Sequence, residues 1–551
     1  MRLSFPMPAA LAQHRLPALP GYALSTAAAL FIVLFDNDRL WSSLHPLVGH
    51  DWRGVALRTS TALVMVAGYV ALFSLFSWRR TLKPVLALVL AFSAATAYFI
   101  DQLGTVIDTG MIRNVFETNA REAGELLTPA LGWYLCSRAL LPIAAVVAWP
   151  LAGGGDRRRR RLATAAWPAL LLATAAATLL AQFKDFSIIG REHRELGHLF
   201  NPFAPAQSLL KYAASEMPHA ALPVDPLGRD ATRPAPAAGE HPQVVVLVLG
   251  ETARAADFGI DGYARDTTPH LAALDNLVNF GRATSCGTAT AQSVPCMFSL
   301  LGRERWKPEP SAQYVDVLDM LAHTGVAEHW RDNDGGCKGV CDSAETVDVT
   351  KDGPAGLCDA DGCHDEILLR DLPALLDAAH GDTLIVLHQM GSHGPAYDRR
   401  YPAAWRRYMP ACESAQPQNC AHDELVNAYD NTIVYTDHLL DAVLDQLRAR
   451  SERLDTALIY LSDHGESLGE NGLYLHGFPY ALAPIEQKQV PFVAWLSPQL
   501  QKRQNLHMNC ARQEAQKPHS QDDLSPLLLG LFEVHSGAYR ADLDPLAACR
   551  G

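Results

Sequence analysis

The sequence predicts a membrane protein in two parts: five transmembrane helices, then an α/β domain with a mostly parallel central sheet. Three observations support this architecture. Long apolar runs dominate the first 183 of the 551 residues. Beyond residue 243, short apolar runs alternate with helical patterns, which is typical of an α/β domain. Between the two parts, residues 184–242 are mixed in character and become rich in proline and alanine.

Five apolar runs account for the predicted membrane domain. They are residues 16–35, 59–78, 84–100, 131–152 and 162–183. A bilayer core of ~30 Å needs about 20 helical residues, which these runs approach or reach. The alternative, buried helices of a soluble protein, is disfavoured because the runs follow one another without polar faces.

Basic residues predict the orientation of these spans. They precede the first run and separate the second from the third and the fourth from the fifth. The residues are Arg2, Arg15, Arg79, Arg80, Lys83 and Arg157 to Arg161. All fall on one side of the membrane, which the enrichment of Lys and Arg in cytoplasmic loops makes the cytoplasmic side. We therefore expect a multi-pass protein of the bacterial inner membrane whose C-terminal domain lies in the periplasm.

The cysteines agree with export of the C-terminal domain. Ten of the eleven lie beyond residue 243, and an even number in an oxidising compartment predicts disulfides. Near neighbours are expected to pair as Cys286–Cys296, Cys337–Cys341, Cys358–Cys363, Cys412–Cys420 and Cys510–Cys549. A zinc site formed by the middle four thiolates, Cys337, Cys341, Cys358 and Cys363, is the alternative.

The sequence thus divides into three expected segments. Residues 1–183 form the transmembrane domain, and residues 243–551 form the periplasmic catalytic domain. Between them, 184–216 are expected to form amphipathic helices on the membrane surface, and 217–242 to form a semi-extended linker. The formal net charge of −13 argues against nucleic acid as a partner.

Polar side chains follow the predicted buried strands of the C-terminal domain. QVVVLVLG is followed by Glu251, TALIYLS by Asp463 and His464, and TLIVLHQMGSHG contains His393 near its end. Active sites of parallel sheets gather at the carboxyl ends of the strands. Two carboxylates and one imidazole suit a divalent metal, with zinc the leading candidate, and leave a fourth position open.

Two further patterns complete the alternation of strands and helices. The run at 490–497 predicts a fourth strand, and apolar residues at helical spacing from Leu425 to Leu447 predict a long helix.

The loop SCGTATAQSVPCMFS adds hydroxyl groups to these candidates. Ser285, Thr288, Thr290 and Ser293 lie within or beside the segment between Cys286 and Cys296. A hydroxyl bound to zinc can act as a nucleophile without a neighbouring general base. Spacing alone does not rank the four.

Four stretches together resemble the phosphoethanolamine transferases of the alkaline phosphatase superfamily. They are GETARAADFGIDGYARDTTP (250–269), TSCGTATAQSVPCMFS (284–299), RDNDGGCKGV (331–340) and LSDHGESLGENGLYLHG (461–477). The resemblance covers nearly the whole chain and is strongest to the enzymes that modify lipid A, including colistin-resistance enzymes. It implies an alkaline phosphatase/sulfatase-like domain, with phosphatidylethanolamine as donor and lipid A as acceptor.

The resemblance also implies roles for individual residues. Glu251, Asp463 and His464 match zinc ligands, and Thr290 matches the nucleophile and remaining ligand. Positions near the phosphate, in contact with substrate, are matched by Lys338, His393 and His476. One zinc ion is firmly expected. Either histidine could act as acid or base, or hold a second, weaker zinc ion.

A further pattern lies in GMIRNVFETNAREAGELL, in the predicted second periplasmic loop. Asn114, Thr118 and Glu122 are spaced to share one face of a helix. The alternative, without a binding role, is a solvated helix face. The resemblance instead implies that these residues bind the phosphoethanolamine donor, with Glu122 pairing the ethanolammonium.

The expected activity is transfer of phosphoethanolamine to a lipid A phosphate by a monomeric zinc enzyme. A covalent phosphoethanolamine-threonine intermediate is expected, and so is reduced affinity for polymyxin-type peptides. One alternative keeps the donor and changes the acceptor to a lipopolysaccharide core sugar or a glucan. A membrane-anchored phosphodiesterase or sulfatase is the other, although no cysteine lies in the C-x-P-x-R pattern of sulfatases.

Overall fold

The computed structural model describes residues 17–551, apart from positions 79, 119, 153–156, 218–226, 236–238, 308–314, 352, 355, 360 and 361. The side chains of 120–122, 157, 160 and 161 lie outside this description. Arg2, Arg15, Arg79 and the side chain of Glu122 therefore fall outside the described residues. The chain forms two compact units, Met1–Asp108 with Leu127–Leu209 and Thr109–Leu126 with Leu210–Gly551. We call them the helical unit and the sheet unit.

The first eleven α-helices precede the sheet. They are α1 (Gly21–Phe35), α2 (Asp38–Val48), α3 (Trp52–Ser74), α4 (Leu82–Leu103), α5 (Thr109–Glu117), α6 (Ala120–Leu126), α7 (Pro129–Leu135), α8 (Leu141–Ala148), α9 (Arg157–Ala181), α10 (Phe183–Glu192) and α11 (Phe203–Ser215). A π-helical stretch, Cys136–Leu140, joins α7 to α8. The short helices predicted for residues 184–216 are thus present as α10 and α11.

Four helices among the described residues are long and apolar enough to cross a membrane. They are Trp52–Ser74, Leu82–Leu103, Pro129–Ala148 and Leu162–Ala181. The remaining predicted span forms α1, which has only 15 residues because the helix begins after Pro20 and ends before Asp36. Proline fixes φ and lacks the amide proton, so it marks the start of this helix. The membrane character of the N-terminal part is confirmed, and the count of five spans is not.

The described residues of the sheet unit form eleven strands. They are β1 (Gln243–Gly250), β2 (Leu277–Thr284), β3 (Ala327–Asp332), β4 (Glu345–Asp348), β5 (Cys358–Asp359), β6 (Gly362–Cys363), β7 (Thr383–His388), β8 (Asp455–Ser462), β9 (Ser467–Leu468), β10 (Tyr474–Leu475) and β11 (Gln489–Leu496). Eight α-helices lie among and after them. They are α12 (Pro269–Ala272), α13 (Thr290–Met297), α14 (Val317–His323), α15 (Leu372–Ala378), α16 (His422–Arg448), α17 (Pro498–Arg503), α18 (Met508–Glu514) and α19 (Leu524–Leu531).

Seven strands form the central sheet in the order β2-β11-β8-β1-β7-β3-β4. β1 pairs in parallel with β7 and β8, and β3 pairs in parallel with β7 and β4. Only β11 runs against its neighbours. Alternate residues of β1 belong to two different apolar clusters, so the core covers both faces of the sheet. The predicted mostly parallel α/β domain is confirmed.

The disulfide prediction is confirmed at every pair. Cys286–Cys296, Cys337–Cys341, Cys358–Cys363, Cys412–Cys420 and Cys510–Cys549 are all bonded. The alternative four-thiolate zinc site is wrong, because its sulfur atoms are used in two of these bonds. The predicted helix at 425–447 is α16, which is longer by a few residues at its N-terminal end.

Candidate metal centre and active site

Adjacent strands of the sheet place three donors at one edge. β1 and β8 are in register at Gly250 and Ser462, so the residues that follow them are neighbours. Those residues are Glu251, Asp463 and His464, and all three are fully buried. Because charged side chains are rarely buried without a partner or a metal, this position itself calls for a counter-charge.

Thr290 completes a tight cluster with these donors. Its Oγ1 lies 3.2 and 3.1 Å from the two carboxylate oxygens of Glu251 and 3.4 Å from His464 Nε2. The same Nε2 lies 3.2 Å from Asp463 Oδ2. The structure therefore brings together the four residues that the sequence predicted as zinc ligands. Their roles stay predictions.

The donor atoms fit a divalent cation. Asp463 Oδ1 accepts the amide protons of Thr252 and His464 at 3.1 and 2.7 Å. Its Oδ2, by contrast, is buried without a hydrogen-bond partner among the described residues. An orphaned carboxylate oxygen beside an imidazole and a second carboxylate is the donor chemistry of a zinc site.

The environment keeps His464 in the neutral form that binds metals. Burial lowers the pKa of His464 to about 4, although the charge of Asp463 opposes that effect. Its Nδ1 lies 2.9 Å from the carbonyl oxygen of Gly465. Donation to that carbonyl leaves the lone pair of Nε2 facing the cluster.

The other hydroxyl groups of the disulfide loop are engaged elsewhere. Ser285 Oγ donates to the carbonyl oxygen of Gly287 at 2.6 Å, and Thr288 Oγ1 donates to that of Phe478 at 2.6 Å. Ser293 Oγ accepts the amide proton of Gly287 at 2.9 Å. Among the four candidates, Thr290 is the one whose hydroxyl faces the buried carboxylates, which ranks them as spacing could not.

Gln521 ties this loop to the end of β8. Its Oε1 accepts the amide proton of Cys286, and its Nε2 donates to the carbonyl oxygens of Ser462 and Asp463, each at 2.6 Å. The side chain is fully buried, so these bonds compete with no solvent. Gln521 thus fixes the Cys286–Cys296 loop against the end of β8. No feature of the sequence around Gln521 marks it for this task.

Two further predicted histidines gather beside His464. The ring of His476 lies 4.4 Å from that of His464 and 5.2 Å from that of His393, centre to centre. His476 Nδ1 lies 3.2 Å from Glu466 Oε2. Burial, together with the charges of His476 and Arg400, lowers the pKa of His393 well below its usual value. His393 is therefore neutral where its ring lies beside that of His476, which in turn lies beside His464.

Lys338 lies in the loop closed by the Cys337–Cys341 disulfide, with φ of +52°. Its Nζ donates to the carbonyl oxygen of Gly335 at 3.0 Å. The charge of Lys338 also acts on Asp334 and on Glu117, where it opposes the effect of burial on the pKa of each carboxyl. Lys338 therefore lies close enough to Asp334 and Glu117 for its positive charge to stabilise negative charge there.

The prediction of one continuous helix through Asn114, Thr118 and Glu122 is wrong. α5 ends at Glu117 and α6 begins at Ala120. The amide and the hydroxyl of Thr118 both donate to the carbonyl oxygen of Asn114, at 2.7 and 2.6 Å, and this closes the end of α5. A side chain hydroxyl that bonds to the backbone competes with the continuing helix, as it does here.

Asn114 nevertheless lies beside the cluster. A Cβ on Gly477 would stand 3.3 Å from Asn114 Nδ2 and 2.8 Å from the methyl group of Met111, so α5 packs closely against this glycine. Gly477 adopts φ of +81° and directly follows His476. Of the three predicted donor-binding residues, the structure places Asn114 next to the histidines and uses the Thr118 hydroxyl in the helix end.

Comparisons with known proteins agree with this geometry. A family model described as Phosphoethanolamine transferase EptA/EptB matches residues 65–217, and one described as Sulfatase matches residues 243–534. Phosphoethanolamine transferase EptA from Escherichia coli (strain K12) is 40% identical over 493 residues, covering 88% of each chain. This chain belongs to the phosphoethanolamine transferase family. Phosphatidylethanolamine transferase Mcr-1 from Escherichia coli is 38% identical over 535 residues, covering 93% of this chain and 95% of that protein.

A solved structure extends the family likeness to the whole fold. The integral membrane protein lipooligosaccharide phosphoethanolamine transferase A (EptA) from Neisseria meningitidis superimposes with a TM-score of 0.90 at 33% identity. The match covers 97% of this chain and 100% of that one. The resemblance inferred from the four sequence stretches is therefore confirmed, including the alkaline phosphatase superfamily and its sulfatase-like domain.

This family member holds a second group of donors that the sequence prediction missed. One ligand atom each from Glu251, Asp334 and His388 lies within 4.8 Å of the others. β7 ends at His388 rather than near His393, and β3 ends at Asp332, two residues before Asp334. The rule that found Glu251 and Asp463 misses His388 because the end of β7 is predicted too late, and it misses Asp334 because β3 is not among the predicted strands.

Burial and neighbouring charges act in opposite directions on the pKa values of this second group. Burial raises the pKa of Asp334, although the charges of His388 and Lys338 oppose it. Burial lowers the pKa of His388, but a hydrogen bond to Asp332 and the charges of Asp332 and Asp334 outweigh it and raise that pKa above its usual value.

The phosphoethanolamine transferase fold also contains a buried ion pair that sequence reasoning missed. Arg400 Nη2 lies 2.6 Å from Glu125 Oε2, and both side chains are at most 5% exposed. Arg400 Nε donates to the carbonyl oxygen of His393 at 2.6 Å. Arg400 therefore connects α6 with the loop of His393. The two partners are 275 residues apart, and no local pattern predicts their contact.

Proposed function

We propose that this chain transfers phosphoethanolamine from phosphatidylethanolamine to a phosphate of lipid A, through a phosphoethanolamine intermediate on Thr290. The observation that carries the proposal is the position of the Thr290 hydroxyl, which donates to the buried carboxylate of Glu251 beside the orphaned Oδ2 of Asp463. Family membership supports the transferred group.

Glu251, Thr290, Asp463 and His464 would hold one zinc ion. Zinc bound there would lower the pKa of the Thr290 hydroxyl and offset the negative charge that develops on the phosphoryl oxygens. The protein contributes a dry site whose ligands lie on strand ends, so their positions need no rearrangement before the reaction.

The first half-reaction would form the bond between Thr290 Oγ1 and phosphorus. The proton of Thr290 leaves through the hydrogen bond to Glu251, the bond from phosphorus to the diacylglycerol oxygen breaks, and that oxygen takes up a proton. His476, held 3.2 Å from Glu466, is placed to supply it. In the second half-reaction, an oxygen of the acceptor phosphate attacks phosphorus, and the bond to Thr290 Oγ1 breaks.

Substrate contacts would surround this core. Lys338 and the neutral His393 would bond to phosphoryl oxygens. Asn114 lies beside Gly477 and would bond to the phosphoethanolamine group, with Thr118 and Glu122 contributing from the same segment. This assignment keeps the predicted residues, with Asn114 on α5, Thr118 directly after α5 and Glu122 on α6 in place of one helix.

The membrane setting supports lipid substrates. Four apolar helices, with α1 as the fifth, would span the bacterial inner membrane, and the sheet unit would lie in the periplasm. In this arrangement residues 1–183 are the membrane domain, 184–242 the interfacial helices and linker, and 243–551 the catalytic domain of a monomer. Two relatives support the substrates: one is a phosphatidylethanolamine transferase, and another is a Kdo(2)-lipid A phosphoethanolamine 7''-transferase.

Mass spectrometry of lipid A tests this function. A polymyxin-sensitive host that expresses the chain should gain lipid A carrying one added phosphoethanolamine, and its polymyxin tolerance should rise. Unmodified lipid A with phosphoethanolamine on core sugar or periplasmic glucan would move the acceptor elsewhere. Turnover of phosphatidylethanolamine without any acceptor would indicate a phosphodiesterase.

A further inference from the structure

A second set of metal-ligand atoms lies beside the proposed zinc site. Glu251 follows β1, His388 ends β7, and Asp334 follows β3, so three neighbouring strands of the sheet each contribute one residue. One ligand atom from each lies within 4.8 Å of the other two. Of these residues only Glu251 belongs to the predicted zinc ligands.

The orientation of His388 is that of a metal-bound histidine. Its Nδ1 lies 2.7 Å from Asp332 Oδ1, so this ring nitrogen is used by a carboxylate. Its Nε2 is fully buried, has no hydrogen-bond partner among the described residues, and faces Asp334. Metal-bound histidines commonly donate their second ring nitrogen to a carboxylate in this way.

Two orphaned carboxylate oxygens point to the same place. Asp334 has a side chain only 4% exposed, and its Oδ1 has no hydrogen-bond partner among the described residues. Asp463 Oδ2 is orphaned as well, and its charge acts on both Asp334 and His388. Buried polar atoms are nearly always satisfied, so the orphaned atoms Asp334 Oδ1 and His388 Nε2 indicate a missing partner at the second group, as Asp463 Oδ2 does at the first.

The charge balance favours two cations over one. Glu251, Asp332, Asp334 and Asp463 carry four negative charges when ionised, and all lie at one edge of the sheet. One divalent ion, together with the ammonium of Lys338 that acts on Asp334, would leave one of these charges uncompensated in a buried site. A second divalent ion would offset it while both His388 and His464 stay neutral.

A protonated His388 bridging Asp332 and Asp334 is the alternative without a metal. The distance of 3.9 Å between His388 Nε2 and Asp334 Oδ2 is too long for the hydrogen bond that this alternative requires. It is suitable for two ligands of a common ion, because ligands that each bond a metal at about 2 Å stand apart from each other.

We propose that Glu251, Asp334 and His388 form a second divalent-cation site, and that the Glu251 carboxylate bridges it to the first. Two carboxylates and an imidazole suit Zn²⁺. The inference rests on the proposed role of Glu251 in the first site. It places the second ion at donors other than His393 and His476, which remain available for the substrate. Two ions that share a carboxylate could stabilise both the entering and the leaving oxygen of a phosphoryl transfer.

Zinc stoichiometry tests the site directly. Purified full-length protein would be stripped of metal, equilibrated with chelator-buffered zinc over a range of free concentrations, and analysed by elemental mass spectrometry. The wild type should saturate at two zinc ions per chain, in two separable steps. Saturation of the wild type at one ion would overturn the proposal without reference to any variant.

Variants assign the second ion. Asp334→Asn and His388→Gln should each saturate at one zinc ion, whereas the exposed controls Asp342→Asn and His380→Gln should keep two. Thermal unfolding in excess chelator, where both sites are empty, checks that each variant folds. If Asp334→Asn and His388→Gln are folded and still bind two ions, the assignment is wrong.

The zinc measurement also separates this inference from the proposed function. If the protein binds one zinc ion and transfers phosphoethanolamine to lipid A, the second site is refuted and the proposed function stands. If the protein binds two ions and transfers nothing to lipid A, the second site stands and the proposed function is refuted.

Discussion

The strand-end cluster and the α5–α6 segment form a contrast within the sheet unit. Glu251, Asp463 and His464 are held by paired strands and are fully buried. Thr109–Leu126, by contrast, consists of two short helices fixed mainly by side-chain contacts, such as Glu125 with Arg400. A second side-chain contact of this segment is the stacking of Phe116 on Tyr212, with ring centres 5.2 Å apart. The difference teaches that the carboxylates and imidazole proposed for the zinc site follow the ends of paired strands, while the groups proposed for headgroup recognition lie on two short helices and the residues between them.

At the strand-end cluster, the largest effect is expected from Thr290→Ala. Loss of the nucleophile should reduce transfer by about 10⁴-fold or more and abolish covalent phosphoethanolamine on the protein, as detected by intact-protein mass spectrometry. Thr288→Ala is the matched control, because Thr288 belongs to the same loop and its hydroxyl bonds to a backbone carbonyl. Equal labelling of Thr290→Ala and wild type would refute the assignment.

A second test removes one oxygen that we propose as a metal ligand. Asp463→Asn keeps an oxygen acceptor for the amide protons of Thr252 and His464 but replaces the orphaned Oδ2. The rate of transfer should fall by about 10³-fold, because a metal contributes several kcal/mol to the stabilisation of charge in the transition state. Elemental analysis should show weaker zinc binding. Unchanged zinc affinity would mean that Asp463 is not a ligand.

The α5–α6 segment can be loosened without touching the cluster. Glu125→Gln removes the charge that pairs with Arg400, and loss of one partner of a buried pair is strongly destabilising. We expect kcat/KM for phosphatidylethanolamine to fall by about 10-fold to 100-fold, mostly through KM, with zinc content unchanged.

Hydrogen exchange provides the structural readout for this variant. Amides of Thr109–Leu126 should exchange faster in Glu125→Gln, while those of β1 and β8 keep the wild-type rate. Arg113→Gln is the control, because the contact of Arg113 with Glu216 is longer, at 3.9 Å, and partly exposed. Equal acceleration in the strands would remove the distinction between the two regions.

The smallest expected effect concerns His393, which Arg400 links to α6. Burial lowers the pKa of His393, so between the unfolded value near 6.5 and the lower folded value the unfolded state binds the extra proton. The free energy of unfolding therefore decreases at this residue as the pH falls below about 6.5. In metal-free protein, the decrease of Tm from pH 7 to pH 5 should be smaller for His393→Gln than for wild type. An equal decrease would mean that His393 titrates normally.

The contrast also explains what the sequence could predict. Apolar runs placed β1 and β8 correctly, and the register of these parallel strands then gathers Glu251, Asp463 and His464 without further information. Thr290 needed the family resemblance, because four hydroxyl groups of the loop are equivalent by spacing. The structure distinguishes them by their hydrogen bonds.

The misses have local and long-range causes. His388 was overlooked because the apolar run was extended past its true end to His393. The helix through Asn114 and Thr118 was predicted as continuous because periodicity does not register a threonine that bonds back to the backbone. Gln521 and the pair of Arg400 with Glu125 depend on contacts between distant parts of the chain, which no local pattern encodes.

The disulfides have a consequence for how the domain reaches its native pairing. The bonded cysteines are 10, 4, 5, 8 and 39 residues apart, and no bonded loop encloses another. A chain that emerges from its N-terminal end can therefore close each bond before the next pair appears. Such consecutive pairing calls for an oxidase that joins each thiol to the next one to emerge, and for no isomerase that reshuffles crossed bonds.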